Sequence, residues 1–174
     1  MKLSPIQPFD FTAKPFELWE KTWFLLTAGD FASGKYNAMT VAWGGLGIMW
    51  GKPVAQVVVR PTRHTYGFTN DYPTFTLTAY DSQYKKALGL LGTRSGRDGD
   101  KIAESGLTPQ AAKVVAAPTF AQAKLSIECR KIYWQDMDPT NFLDPTIESS
   151  YENNDYHRFY LGEILHILGT EEYR

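Results

Sequence analysis

Two short stretches place cations beside hydroxyls and glycines where the chain changes direction. In RPTRHT, residues 60–65, Arg60, Arg63 and His64 surround Pro61, Thr62 and Thr65 directly after the apolar run VAQVVV. The turn leads into a predicted helical turn, and the first N–H groups of a helix are unsatisfied donors at the positive end of its dipole. Cations are unfavourable there unless an anion sits among them. With an anion present, backbone N–H groups, two hydroxyls and two guanidiniums converge on one phosphate-like ligand. In GTRSGRDGDK, residues 92–101, Arg94, Arg97 and Lys101 join Ser95 and Gly96 in the same way ahead of a second short helix. A single arginine beside a turn is most often a solvated surface charge. Two such turns in one small chain favour phosphate.

Other chemistries lack their patterns. GGLGIMWG, residues 44–51, does not have G-x-G-x-x-G spacing and runs into Lys-Pro and a strand, and no G-x-x-x-x-G-K-[ST] sequence occurs. His64, His157 and His166 have no cysteine cluster, and the last two, read on one strand at odd separation, point to opposite faces, so no metal site is expected. Cys129 alternates with Leu125 and Ile127 in AKLSIECRKIYW and reads as a small buried strand residue; as the only cysteine it excludes an internal disulfide. Trp43 and Trp50 flank the glycines of GGLGIMWG. Glycine lets a flat ring approach the backbone, which suits a planar cofactor, and the same tryptophans equally suit a core or an interface. A flat ring with a phosphate tail describes a mononucleotide such as FMN.

The elements that must hold these turns are mainly strands. FELWEKTWFLLTAG reads as extended and breaks at AGDFASGKYN, a turn; YNAMTVAW resumes an extended pattern, GGLGIMWGKP reads as a glycine-rich loop, and VAQVVVR and TFTLTAY read as strands. In YKKALGLLG the apolar residues Tyr84, Ala87, Leu88 and Leu91 share one helical face, and GDKIAESGL reads as a helix capped by Asp98 or Asp100 and closed by Gly106. After TFAQAKLSIECRKIYW, again β, the polar excursion at 135–154 exceeds ordinary loop length and must pack on an active site or another subunit, before the closing strand HRFYLGEILHIL. Many strands with a few helices inserted mid-chain predict one mainly-β domain, a barrel or sandwich.

At 174 residues the chain suits a single domain over 1–174, and 43% apolar with 21% charged residues is ordinary for a globular protein. Eighteen Lys and Arg against 19 Asp and Glu leave a net charge of -1, so no global field attracts nucleic acid or a membrane surface and any anion site must be local. No apolar run reaches signal-peptide or membrane-spanning length, from which a cytoplasmic location is expected.

NAMTVAWGGLGIMWGKPVAQVVVRPTRHTYGF, followed in order by GTRSGRDGDKIAESGL, AKLSIECRKIYW and YHRFYLGEI, resembles the flavin reductase-like family of FMN-binding split β-barrels, flavoredoxins included, over about residues 20–169. The resemblance implies a Greek-key split barrel and a homodimer with FMN near the subunit interface. It implies that Asn37, Met39, Thr40, Val41, Ala42 and Trp43 lie along the flavin ring. It further implies that Arg60, Thr62, Arg63, Thr65, Ser95, Gly96, Arg97 and Lys101 hold the ribityl phosphate, and that His157 lies near the ring in a catalytic position. The expected activity is transfer of hydride or electrons from NAD(P)H through flavin to free flavin or another acceptor. The alternative is a flavoredoxin-type carrier served by a redox protein partner.

Overall fold

A computed structural model of the chain describes residues 3–174. The strands are β1 (Ser4–Ile6), β2 (Phe24–Asp30), β3 (Lys35–Val41), β4 (Gly44–Met49), β5 (Lys52–Val59), β6 (Thr74–Ala79), β7 (Pro109–Gln110), β8 (Thr119–Phe120), β9 (Leu125–Asp136) and β10 (Arg158–Gly169). Eight of them form one antiparallel sheet in the order β3-β2-β6-β9-β10-β5-β4, with β1 added beside β10, while β7 and β8 make a separate ribbon. The out-of-order neighbours, β6 beside β2 and β5 beside β10, are the long returns of a Greek-key-type barrel. β3 and β4 end the path, so each has one unpaired edge among the described residues.

Period-2 side-chain alternation builds the barrel interior. Phe24, Leu26 and Ala28 of β2, Met39 and Val41 of β3, Val57 and Val59 of β5, Phe75 and Leu77 of β6, and Leu125, Ile127 and Cys129 of β9 all enter one core. The intervening Leu25 and Ala38 face a second core built with helices α3 (Lys85–Thr93) and α4 (Lys101–Ser105) through Leu88, Leu91 and Ile102. β2 and β3 are therefore covered on both faces. This is why FLLTAG reads as a continuous apolar run, each fully buried large side chain contributing about 1.5–3 kcal/mol. α4 starts at Asp100, whose side chain accepts from the Ala103 N–H at 3.0 Å, and stops at Gly106 with φ 74°.

Two sequence expectations change. GGLGIMWG is not a loop: residues 44–49 form β4, and the connection is a two-residue hairpin turn with Trp50 at φ 51° and Gly51 at φ 71°. The first glycine has a packing reason, since a Cβ on Gly44 would lie 2.3 Å from both the Trp19 ring and the Gln56 carbonyl. FELWEKT is not extended either. Pro15 starts the single turn α1 (Pro15–Glu17), which runs into a π-helical turn at Leu18–Thr22 and delivers Trp19 onto Gly44. No helix among the described residues is long and apolar enough to cross a membrane.

Candidate functional site

β5 ends at Val59 and the chain turns through RPTR into α2 (His64–Asp71), whose first position follows Arg63 with no side-chain cap. The helix opens beside β3, where buried Asn37 donates through Nδ2 to Thr65 Oγ1 at 2.7 Å. The second basic turn reaches the same place. Arg97 Nη1 donates to the Thr62 carbonyl at 3.1 Å, and the Arg97 N–H donates to Ser95 Oγ at 3.2 Å. A Cβ on Gly96 would lie 2.6 Å from Asn37 Oδ1 and 2.8 Å from His64 Cδ2, so only glycine lets this loop close against β3 and α2. Thus Arg63, Thr65, Ser95, Gly96, Arg97 and Asn37, remote in sequence, form one rim.

Lys101 completes that rim from α4. It is only 4% exposed, and its ammonium donates to the carbonyls of Leu91 at 2.9 Å and Arg94 at 3.1 Å, at the end of α3. Arg63 donates to the Gly92 carbonyl in the same turn. Among the described residues no carboxylate pairs with Arg63, Arg97 or Lys101; Asp100 is spent on its helix cap, and Arg94 is drawn off to Glu104 at 3.2 Å. The electrostatic cost falls on the cations themselves. Burial, with Arg63 nearby, pulls Lys101 down to about 8; burial and Arg60 lower Arg63; burial, Arg97 and Lys101 lower His64. Converging donors without a counter-charge are the chemistry of an anion site, and a phosphate monoester fits them.

The far end of β3 builds a different surface. Met39, Thr40, Val41, Ala42 and Trp43 line a cavity of about 220 Å³ with Val58, Arg60 and His157. Alternation sends successive side chains to opposite faces, so five consecutive residues can line one groove only through the backbone at the unpaired strand edge. Met39 and Val41 point into the barrel core and Thr40 Oγ1 donates to the Leu88 carbonyl at 2.6 Å, leaving backbone N–H and C=O groups, with the 48%-exposed Trp43, for a planar ligand. β3 separates Asn37 from Val41 by roughly 14 Å at the ordinary strand rise, so a ring at one end and a phosphate at the other demand an elongated ligand.

Register brings His157 here: Arg158 pairs with Val59, setting the residue before β10 beside the residue after β5. His157 is buried, its ring centroid 5.2 Å from that of Trp43, and its Nδ1 lies 2.8 Å from the Tyr151 hydroxyl. Burial first, then the Arg60 charge, push its pKa down to about 4, so the imidazole is neutral at neutral pH. The Tyr151 hydroxyl can donate to Nδ1 or accept from it, according to the imidazole tautomer, and in either case fixes the ring's orientation.

The long polar excursion supplies this end. After β9 two short 3-10 helices, the single turn Pro139–Asn141 and the longer Pro145–Ser150, fold the chain back, and Phe142 stacks on Tyr151 at 6.0 Å. The excursion packs on the site. Asp155 accepts from Arg60 Nη1 at 2.7 Å and from Thr62 Oγ1 at 3.1 Å, and Arg60 also donates to the Ser150 carbonyl at 2.7 Å. Of the residues expected at the anion, Arg60 and Thr62 are both held by Asp155, and Arg60 lines the groove with His157 and Trp43. Tyr151 and Asp155 contact these residues although sequence reasoning did not single them out, and His64, noted there among the cations of RPTRHT, was given no role. Only the position of His64 inside RPTRHT carried a signal.

Comparison with known proteins bears on the fold and the family. The chain resembles in fold an FMN-binding domain of flavin reductases-like enzyme from Shewanella baltica (TM-score 0.68, 16% identity, 97% of this chain and 77% of that one). It likewise resembles the flavoredoxin of Desulfovibrio vulgaris (0.67, 24%, 92% and 73%) and the NADH:FAD oxidoreductase SgcE6 of Streptomyces globisporus (0.66, 14%, 88% and 78%). No curated protein sequence matches the chain significantly. The flavin reductase like domain profile matches residues 20–172, spanning both basic turns, β3 and His157, and the chain belongs to that family.

Proposed function

We propose that this protein is an FMN-dependent oxidoreductase that passes reducing equivalents from NAD(P)H to free flavin or another acceptor. The observation that carries the proposal is the rim of Arg63, Arg97 and buried Lys101, none of them ion-paired with a carboxylate among the described residues, at one end of an open strand edge whose other end holds a neutral buried histidine. Bound FMN would supply the hydride-accepting ring and its redox chemistry. Arg63, Lys101 and the N–H groups opening α2 hold the phosphate, and the Gly96 turn shapes the space around it. The backbone N–H groups of residues 40–44 are preorganised dipoles for negative charge developing on the pyrimidine side of the ring. His157 would present a neutral imidazole to the ring beside Trp43, held in place by its contact with Tyr151.

Stopped-flow absorbance under anaerobic conditions tests this: mixing the FMN-loaded protein with NADH or NADPH should bleach the flavin rapidly, and sluggish bleaching by both contradicts a nicotinamide-dependent enzyme. A second reading, an electron carrier with a redox protein partner, is favoured by the 48% exposure of Trp43 in the ring groove. Slow bleaching by both nicotinamides with fast exchange to a small redox protein selects it. We further propose a homodimer, supported by exposed Trp50, Tyr133 and Trp134, with Trp50 and Tyr133 packed edge to face at 6.2 Å. A monomeric mass by light scattering at micromolar protein overturns that.

A further inference from the structure

The excursion between β9 and β10 is held together internally more than it is packed on the barrel. Phe142, Tyr151 and Tyr156 pack on one another with ring centroids between 4.9 and 6.0 Å apart, and Asp138 and Asp144 cap the two 3-10 helices by accepting from the Thr140 and Thr146 N–H groups at 2.9 Å. Between residues 137 and 156 only Tyr151 is buried, and neither apolar core includes it. A segment with so little apolar anchorage keeps its place through polar contacts, and it is locally the easiest part of a fold to open. Those contacts converge on one side chain. Arg60 donates to Asp155 at 2.7 Å and to the Ser150 carbonyl at 2.7 Å, and its guanidinium lies 4.9 Å from the centre of the Tyr151 ring. Asp155 also accepts from Thr62 at 3.1 Å, which ties the end of the excursion to the turn after β5. The side chains of the pair are only 28% and 12% exposed, so solvent screens them less than it screens a surface pair. Tyr151 depends on this arrangement for its position 2.8 Å from His157 Nδ1.

We propose that Asp155 is a positioning residue: by fixing Arg60 it latches the excursion over the groove, keeping Tyr151 on His157 and the imidazole out of water. The assignment of His157 to a flavin ring rests on the reading above, whereas the latch is a property of the chain alone. Among the described residues the ionisable groups facing His157 are Arg60 from the turn after β5 and Tyr151 and Asp155 from the excursion. The β3–β4 connection brings uncharged Trp43, and the end of β9 brings the Met137 N–H, which donates to the His157 carbonyl at 3.0 Å. Asp155 therefore acts on the imidazole with two opposite signs. Its charge favours the imidazolium, while its hold on the excursion keeps the ring buried and so disfavours it. Removing the carboxylate tells the two apart.

The test follows the His157 imidazole by nuclear magnetic resonance, together with amide hydrogen exchange, on the whole 174-residue chain without flavin. In Asp155→Asn the Tyr151 and Asn154 amides, each bonded at 2.9 Å within the excursion, should exchange roughly tenfold faster or more, and the His157 pKa should rise from about 4 toward the ordinary 6.5. Asp155→Glu, which keeps the carboxylate, should restore both. Arg60→Lys keeps the positive charge beside the imidazole but gives up the forked donors and the flat stack on Tyr151. It should move both readouts in the same direction as Asp155→Asn, and it carries the test where Asp155→Asn fails to fold. A folded variant of either kind whose amides exchange at the wild-type rate, or whose His157 pKa stays near 4 or falls, overturns the latch. Failure of the wild type to bind added FMN would contradict the flavin reading and leave these outcomes as they are.

Discussion

Arg60 and Arg63 are three residues apart and meet opposite fates. Arg60 finds Asp155 at 2.7 Å and lies over the Tyr151 ring at 4.9 Å; Arg63 finds only the Gly92 carbonyl and sits near Lys101, another cation. The groove around His157 and Trp43 is thus electrically complete in the protein itself, and the rim of Arg63, Arg97 and Lys101, proposed here as the phosphate end, is not. A buried cation satisfied by carbonyls alone has its hydrogen bonds but lacks its counter-charge, and that deficit is stable only if a ligand supplies the charge. The two ends should therefore respond differently to mutation, to pH and to the presence of phosphate on the flavin.

The largest effect is expected from Arg63→Ala. A charge-assisted contact is worth about 1.5–3 kcal/mol, so FMN affinity should fall roughly ten- to hundredfold while riboflavin, which has the ring and no phosphate, changes little. Fluorescence titration of both flavins reads the contrast, and equal losses would erase the distinction between the ends. Gly96→Ala comes next. Its Cβ would intrude 2.6 Å from Asn37 Oδ1, and such overpacking costs about 1–3 kcal/mol, so FMN binding should weaken roughly tenfold with the rate of flavin reduction at saturation preserved. A reduced saturated rate with unaltered affinity would place Gly96 at the ring instead.

Lys101 gives the comparison a pH axis. Its folded pKa of about 8 lies below the ordinary lysine value of 10.5, so from about pH 8 to 10.5 the unfolded chain binds more protons than the ligand-free fold, and ligand-free stability should rise with pH over that window. FMN affinity should move the other way, declining above about pH 8 as the ammonium that meets the phosphate is lost. Lys101→Met should flatten both trends; their persistence in that variant would assign them to another group. The smallest effect belongs to the ring end. Tyr151→Phe removes one hydrogen bond to His157, worth about 0.5–1.5 kcal/mol, and should slow flavin reduction roughly two- to tenfold with FMN affinity unchanged; His157→Ala should likewise lower turnover more than affinity. An unchanged reduction rate in both variants makes His157 a packing residue.

What the sequence made legible follows the range of the interactions. The caps of α4, Asp100 and Gly106, the helix after RPTRHT and the buried alternation around Cys129 are local patterns, and the structure contains each of them. That the two basic turns meet was suggested by their shared composition in a nearly neutral chain, and Arg97 does donate to the Thr62 carbonyl. The Arg60–Asp155 pair was not legible. It spans 95 positions and exists because Arg158 pairs with Val59, a register no local pattern encodes. β4 was missed for a related reason: its glycines argue against a strand until Trp19, from a π-helical turn, is seen lying on Gly44. Tyr151 lay within a polar excursion whose packing partner the sequence left open.

The most direct measurement is calorimetric titration of the unmodified protein with FMN and with riboflavin at low and at moderate salt. If the Arg63–Arg97–Lys101 rim is a phosphate site, FMN should bind at least a hundredfold more tightly than riboflavin, the equivalent of about two charge-assisted contacts, with the FMN value weakening as salt rises and the riboflavin value nearly constant. Equal affinities for the two flavins, or a salt response shared by both, would contradict it.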